Sequence, residues 1–199
     1  MNFYMVTIFL ITYLICSINP AIILCKIKTG ADIRKLGSGT AGTANAMRVL
    51  GRVWGSVVVA LDIGKVFLGY FIVTKVSGLF QIDQDTVLKS VFIVAVVVGH
   101  CFPIYYGFKG GKGVIVGITA ATILDPKIAL VCIIAGVVII LITRTVAMAT
   151  LGGLILYLIM AIVMMPEYLV PVIIIAVIVM FKHRANIQRI LTKQESKLW

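Results

Sequence analysis

The feature that most limits what this chain can fold into is a succession of apolar runs, each near the length of a bilayer-crossing helix and each bounded by charge. Five are clear, at residues 3–25, 53–75, 87–107, 127–143 and 145–165. The run 168–182 is shorter but almost wholly aliphatic, and 113–125 is apolar yet long enough only for a half or strongly tilted span. The count lies between five and seven, and seven is expected. Of 199 residues, 61% are hydrophobic and 13% charged, about half the charged share of an ordinary soluble domain. The fold class is all-α, a polytopic membrane protein. No linker, repeat or low-complexity tract interrupts it, so residues 1–199 read as one integral membrane domain.

The net charge of +11 raises nucleic acid as a partner. The basic residues sit between apolar runs instead of forming basic stretches interleaved with aromatics, so nucleic acid is excluded in favour of anionic lipid and phosphorylated substrates. With the N-terminus outside, the inner side collects Lys26, Lys28, Arg34, Lys35, Arg48, Arg52, Lys109, Lys112, Arg144, Lys182, Arg184, Arg189, Lys193 and Lys197. The outer side keeps Lys75, Lys89 and Lys127, beside Asp83, Asp85, Asp125 and Glu167. Positive residues stay in the cytoplasm, so this bias puts the N-terminus outside and the C-terminus inside. The first run lacks a basic flank and is too long for a cleaved signal core, which makes it a retained span. Cys16, Cys25, Cys101 and Cys132 are isolated in or beside apolar segments, and imply neither metal nor disulfide.

This topology gathers the polar segments on the cytoplasmic side. Gly37 to Ala46 is a run of ten small residues, followed by Arg48 and Arg52. Glycines allow the backbone to form an anion-binding nest, and a helix starting near Thr43 would add its positive end. Asn45, Arg48 and Arg52, at i, i+3 and i+7, would share one face of that helix. The plain alternative is a flexible loop with lipid-facing arginines. A second segment, Gly99 to Gly113, ends a span and places Lys109 and Lys112 around two glycines. Two ammonium groups on a tight turn suit a dianionic phosphate, although the GxxxxGK[ST] spacing is absent. Its plain alternative is a turn that obeys the positive-inside bias.

His100, at a span end, reads either as an interfacial hydrogen-bonded histidine or as a base. In the tail, His183 and Asn186 lie three residues apart and Arg189 three further, again on one face; site and anchor are both open there. Asp62 and Lys65 place opposite charges on one face of the second span. Such residues are costly in a bilayer, and either pair to orient the helix or line a polar cavity.

These residues resemble a known family, the bacterial acyl-phosphate glycerol-3-phosphate acyltransferases. Ser17-Ile18-Asn19-Pro20-Ala21 is similar to its first-span signature, Gly37 to Arg48 to its GSGNxGxTNxxR loop, Gly99 to Gly113 to its GHxFPxxxxFKGGKG loop, and His183 to Arg189 to its HxxNIxR tail. The resemblance implies seven spans and transfer of a fatty acyl group from acyl phosphate to the 1-hydroxyl of glycerol 3-phosphate, yielding lysophosphatidate and phosphate. It implies no cofactor and no metal, a monomer in the cell membrane, and an active site facing the cytoplasm. Carried over by position, Ser38, Asn45, Arg48, Lys109, Lys112, His183 and Asn186 would bind substrate. His183 is the candidate catalytic group, with Lys65 and His100 as further possibilities. Thr40 stands where the family usually has Asn, Ala44 where it has Thr, and Ala147 where it has a hydroxyl. The rival readings are a divergent or inactive relative with a changed acceptor, and an anion transporter. Neither histidine begins an HxxxxD motif, since Tyr105 follows His100 and Gln188 follows His183 at that spacing.

Overall fold

A computed structural model describes residues 2–79 and 85–197, and among them every regular element is helical. Asp83, counted above on the outer side, lies outside the described residues. The chain forms two compact units, residues 1–119 and 120–199.

In the first unit, the opening apolar run is broken into α1 (Asn2–Ser17) and α2 (Pro20–Thr29). Pro20 cannot donate a backbone hydrogen bond, so the helix stops before it and restarts with Pro20 in the first turn. Asn19 caps the restart, its Oδ1 accepting from the Ile22 N–H at 3.1 Å. After a short helix α3 (Thr43–Leu50), the long α4 (Arg52–Leu79) and α5 (Asp85–Cys101) follow. α1 packs against α4 and α5, while α2 and α3 lie against α4.

The distribution of polarity in this unit is that of a bilayer protein. Thr12, Ser17, Asp62, Lys65 and His100 are buried, whereas Phe3, Leu10, Leu61, Phe67, Leu68 and Phe71 are exposed. Apolar surface of that extent would be untenable in water, and lipid tails are its natural solvent.

α6 (Val114–Leu124) runs through the division between the units. Its 11 residues span about 16 Å at the α-helical rise, roughly half a hydrocarbon core. The short-span expectation for 113–125 therefore holds.

The second unit contains α7 (Pro126–Thr143), α8 (Val146–Met164), α9 (Leu169–Lys182) and α10 (Arg184–Leu191). Asp125 caps α7 by accepting from Lys127 and Ile128. α8 packs between α7 and α9 around Ile128, Ala161, Met165, Tyr168 and Val172. A bend of 61° separates the last apolar helix from α10. By length and composition, five stretches among the described residues suffice to cross a membrane, α1 and α2 together counting as one, and the bent pair makes a sixth when taken as one span. With α6 these are the seven apolar segments read from the sequence.

Candidate functional site

The first glycine-rich loop is not a flexible connection. Its underside rests on a cluster of Ala21, Ile22, Cys25, Ile33, Ala41, Ala46 and Val58. Burying Ile33, Ala41 and Ala46 fixes the backbone on both flanks of the glycines.

Asn45 organises the loop from within. Its side chain is fully buried, with Nδ2 within 3.0–3.2 Å of the Ile33, Leu36 and Thr40 carbonyls and Oδ1 accepting from the Ser38 N–H at 2.8 Å. Gly37 makes this possible. Its φ is +56°, and a Cβ there would collide with the Asn45 amide oxygen. Asn19 adds a tie from the helix break, donating from Nδ2 to the Ala41 carbonyl at 3.1 Å.

The expected helix begins at Thr43, with Gly42 as its N-cap. Gly42 supplies no side-chain acceptor, so no side-chain cap is made at the N-cap of α3, a positive helix end of the kind that suits an anion. The expected shared face of Asn45, Arg48 and Arg52 is corrected. α3 ends at Leu50, Gly51 at φ +86° breaks the helix, and Arg52 opens α4. Asn45 is buried while Arg48 is exposed, so Arg48 is the residue this helix presents outward. Ser38 is exposed too, with its hydroxyl 3.0 Å from that of Thr40. Thr40, the departure from the family pattern, thus supplies a hydroxyl partner to Ser38.

The second loop is anchored on His100. The Gly111 N–H donates to the His100 carbonyl at 3.1 Å and Gly110 to Cys101 at 3.2 Å. Gly111 is wedged between the His100 ring and the Ala41 carbonyl, so no side chain fits there. This wedge places the second loop directly against the first. Lys109 is exposed and Lys112 half-buried.

Beneath the loops, three side chains of the spans form a buried charge cluster. Lys65 Nζ lies 2.8 Å from Asp62 Oδ1, 2.8 Å from the Ile18 carbonyl and 3.1 Å from His100 Nδ1. An ammonium only donates, and here it pairs with the carboxylate while hydrogen-bonding the Ile18 carbonyl and the imidazole nitrogen. His100 Nδ1 is then an acceptor, with the ring proton on Nε2. The arrangement realises the ion-pair reading of Asp62 and Lys65, and it also clamps the helix break at Ile18 to α4 and α5.

Sequence reasoning did not single out Asp32 and Arg34. They form a bidentate pair just upstream of the first loop, with Arg34 Nε 3.0 Å from both carboxylate oxygens and Nη2 2.6 Å from Oδ2. The guanidinium hydrogen-bonded to Asp32 holds its carboxyl down to about 2, and the carboxylate in turn raises Arg34. The signal available in the sequence was only an i, i+2 acid–base pair, too common to mark a site.

In the second unit, His183 sits at the bend between α9 and α10, buried, with Nδ1 2.8 Å from the Val179 carbonyl. A carbonyl only accepts, so Nδ1 carries a proton and Nε2 is the acceptor of the neutral ring. Asn186 and Arg189 share a face, as expected. Both bind the carboxylate of Glu195, Asn186 Nδ2 at 2.6 Å and Arg189 Nε at 2.7 Å. Glu195 was also missed; its mark is a lone carboxylate in a basic tail. The hydroxyls of Thr145 and Thr150 turn back to the Thr143 and Val146 carbonyls, and Ala147 is buried between them in sequence. Among the described residues, no three His, Cys, Asp or Glu side chains group as metal ligands.

Fold and loops together define an integral membrane protein in which two glycine-rich loops meet beside the basic residues Arg48, Lys109 and Lys112. A family model described as glycerol-3-phosphate acyltransferase matches residues 6–193, and the chain belongs to that family. A glycerol-3-phosphate acyltransferase of Francisella tularensis subsp. holarctica is 34% identical over 199 residues, covering 100% of this chain and 95% of the relative. One from Thermoanaerobacter pseudethanolicus is 32% identical over 197 residues, covering 98% and 96%. Two crystal structures of PlsY (YgiH), an integral membrane glycerol 3-phosphate acyltransferase, share the fold. The glycerol 3-phosphate form has a TM-score of 0.87 at 31% identity, covering 98% of this chain and 96% of its own. The lysophosphatidic acid form has a TM-score of 0.84 at 30% identity, covering 98% and 95%.

Proposed function

We propose that the whole chain acts as one monomeric membrane acyltransferase domain, with glycerol 3-phosphate as acceptor and a fatty acyl phosphate as donor, working at the cytoplasmic face of a bacterial cell membrane. The observation that carries this reading is the close apposition of two glycine-rich loops, one opening a helix without a side-chain cap and the other bearing Lys109 and Lys112. Substrate and donor each carry a phosphate, and two such groups need this density of amide and ammonium donors.

Ser38, Arg48, Lys109 and Lys112 are the groups assigned to phosphate binding in the first unit, and His183 and Asn186 are assigned to substrate in the second. Asn45, fully buried, serves the site by shaping the first loop. His100 supports the second loop through its carbonyl, and Lys65 holds the His100 ring, Nζ 3.1 Å from Nδ1. The C1 hydroxyl oxygen attacks the acyl carbon, an ester bond forms, the carbon–oxygen bond to phosphate breaks, and inorganic phosphate leaves with the electron pair. The departing phosphate takes the hydroxyl proton. An acyl phosphate is an activated anhydride, so alignment and charge neutralisation supply most of the acceleration. A covalently acylated enzyme trapped during turnover would sink this route.

The test is transfer of label from glycerol 3-phosphate into lysophosphatidate by the purified protein, with palmitoyl phosphate, palmitoyl-CoA and palmitoyl-acyl carrier protein offered separately. Product from the acyl phosphate alone is expected. Product from a thioester donor alone would overturn the donor assignment, and no product from any donor, with folded protein, would point to a changed acceptor.

A further inference from the structure

Lys109 sits at the end of an unusual turn. Gly107 and Phe108 are both left-handed, at φ +63° and +61°, and the latter is costly for a residue with a Cβ. Inside the turn, Phe108 N–H donates to the Pro103 carbonyl at 3.0 Å, whereas the Lys109 N–H to Tyr106 contact is long at 3.4 Å. The turn's own bonds hold Phe108 more firmly than Lys109.

The missing support comes from the other loop. Arg34 Nη1 donates to the Tyr106 carbonyl at 2.7 Å and to the Lys109 carbonyl at 3.3 Å, bracketing the left-handed pair from outside. The rest of its guanidinium is held by Asp32, whose Oδ1 also accepts from the Arg34 N–H at 2.9 Å. Ile33, between them, is fully buried under the first loop, and its carbonyl accepts from Asn45. The guanidinium is therefore fixed to the buried base of the first loop and reaches the left-handed turn of the second.

We propose that Asp32 and Arg34 form a clasp that positions Lys109 relative to the first glycine-rich loop, making Arg34 a positioning residue for phosphate binding. The inference rests on the assignment of Lys109 to substrate phosphate. Only an arginine fits the task, because one planar group must meet a carboxylate on one edge and two carbonyls on the other.

The experiment measures KM for glycerol 3-phosphate and for palmitoyl phosphate separately, in the purified full-length protein and in Arg34→Ala, Arg34→Lys, Asp32→Asn and Lys109→Ala. Lys109→Ala identifies which substrate Lys109 serves. Arg34→Ala is expected to raise KM for that same substrate about tenfold while kcat stays within about threefold. Arg34→Lys, which folds with its charge kept, is expected to fail to restore the wild-type KM, and Asp32→Asn to shift the same KM less. If Lys109→Ala raises one KM and both Arg34 variants leave it unchanged, the clasp is overturned while the binding assignment stands. If Lys109→Ala leaves both KM values unchanged, both are overturned. A loss of kcat in the Arg34 variants with KM unchanged also overturns the clasp.

Discussion

Burying Asp62 and Lys65 inside a membrane helix is tolerable because each charge is answered. The carboxylate faces an ammonium 2.8 Å away, and the ammonium finds a carbonyl and an imidazole nitrogen for its other hydrogens. Removing one partner leaves the other buried and uncompensated, at about 3–5 kcal/mol. Lys65→Met is therefore expected to lower the melting temperature sharply in detergent, and Asp62→Asn combined with Lys65→Met to recover more than half of the loss. A double variant less stable than the single one would contradict the pairing. At Asp32, the sign of the pH effect follows from a carboxyl lowered from an ordinary 3.8 to about 2. A depressed pKa contributes stability that is fully present above the unfolded value and is lost as pH falls through the folded one. The melting-temperature difference between wild type and Asp32→Asn should be constant from neutrality to about pH 4 and shrink toward pH 2.

Among the elements, the first glycine-rich loop depends on one amide. Asn45 joins the backbone on either side of Gly37 to Thr40 and does so without touching solvent. Asn45→Ala removes the tie between the Ile33, Leu36 and Thr40 carbonyls and leaves the Ser38 N–H without its partner, at about 1–3 kcal/mol for a group that water cannot reach. We expect kcat/KM to fall more than tenfold even though the residue is fully buried. Gly111→Ala tests the apposition of the loops, since the added methyl must displace the His100 ring or the Ala41 carbonyl. It is expected to raise KM for a phosphorylated substrate while the protein still extracts as a folded membrane protein. Wild-type KM values in that variant would mean that the loops need not meet so closely.

Across the whole molecule, sidedness is open to direct labelling because Cys16, Cys25 and Cys101 are buried and Cys132 half-buried, which keeps background low. Lys35→Cys and Lys127→Cys are exposed positions on opposite sides of the expected topology. An impermeant maleimide should label the second in intact spheroplasts, and the first only after the membrane is opened. The reverse pattern would invert the orientation. Helical class, membrane habitat and the limits of the spans were legible in the residues themselves, because a twenty-residue apolar run and a charge boundary are local properties that a bilayer reads one segment at a time. So were the start of α3 at Thr43 and the short run at 113–125. The end of α3 was not: a glycine inside a promising helical face can be absorbed or can break it, and Gly51 adopts a φ of +86° in its tertiary setting. Arg48, Lys109 and Lys112 are proposed for phosphate from glycine density and charge along the chain, and Ser38 from the resemblance to the family. Asn45 turning inward, Lys65 spending its hydrogens on His100 and Ile18, Arg34 reaching the Lys109 carbonyl, and Glu195 gripping Asn186 and Arg189 were decided only by the folded molecule. Each depends on which groups a distant segment brings within about 3 Å, and a hydrogen bond of that length is invisible to any pattern read along one dimension.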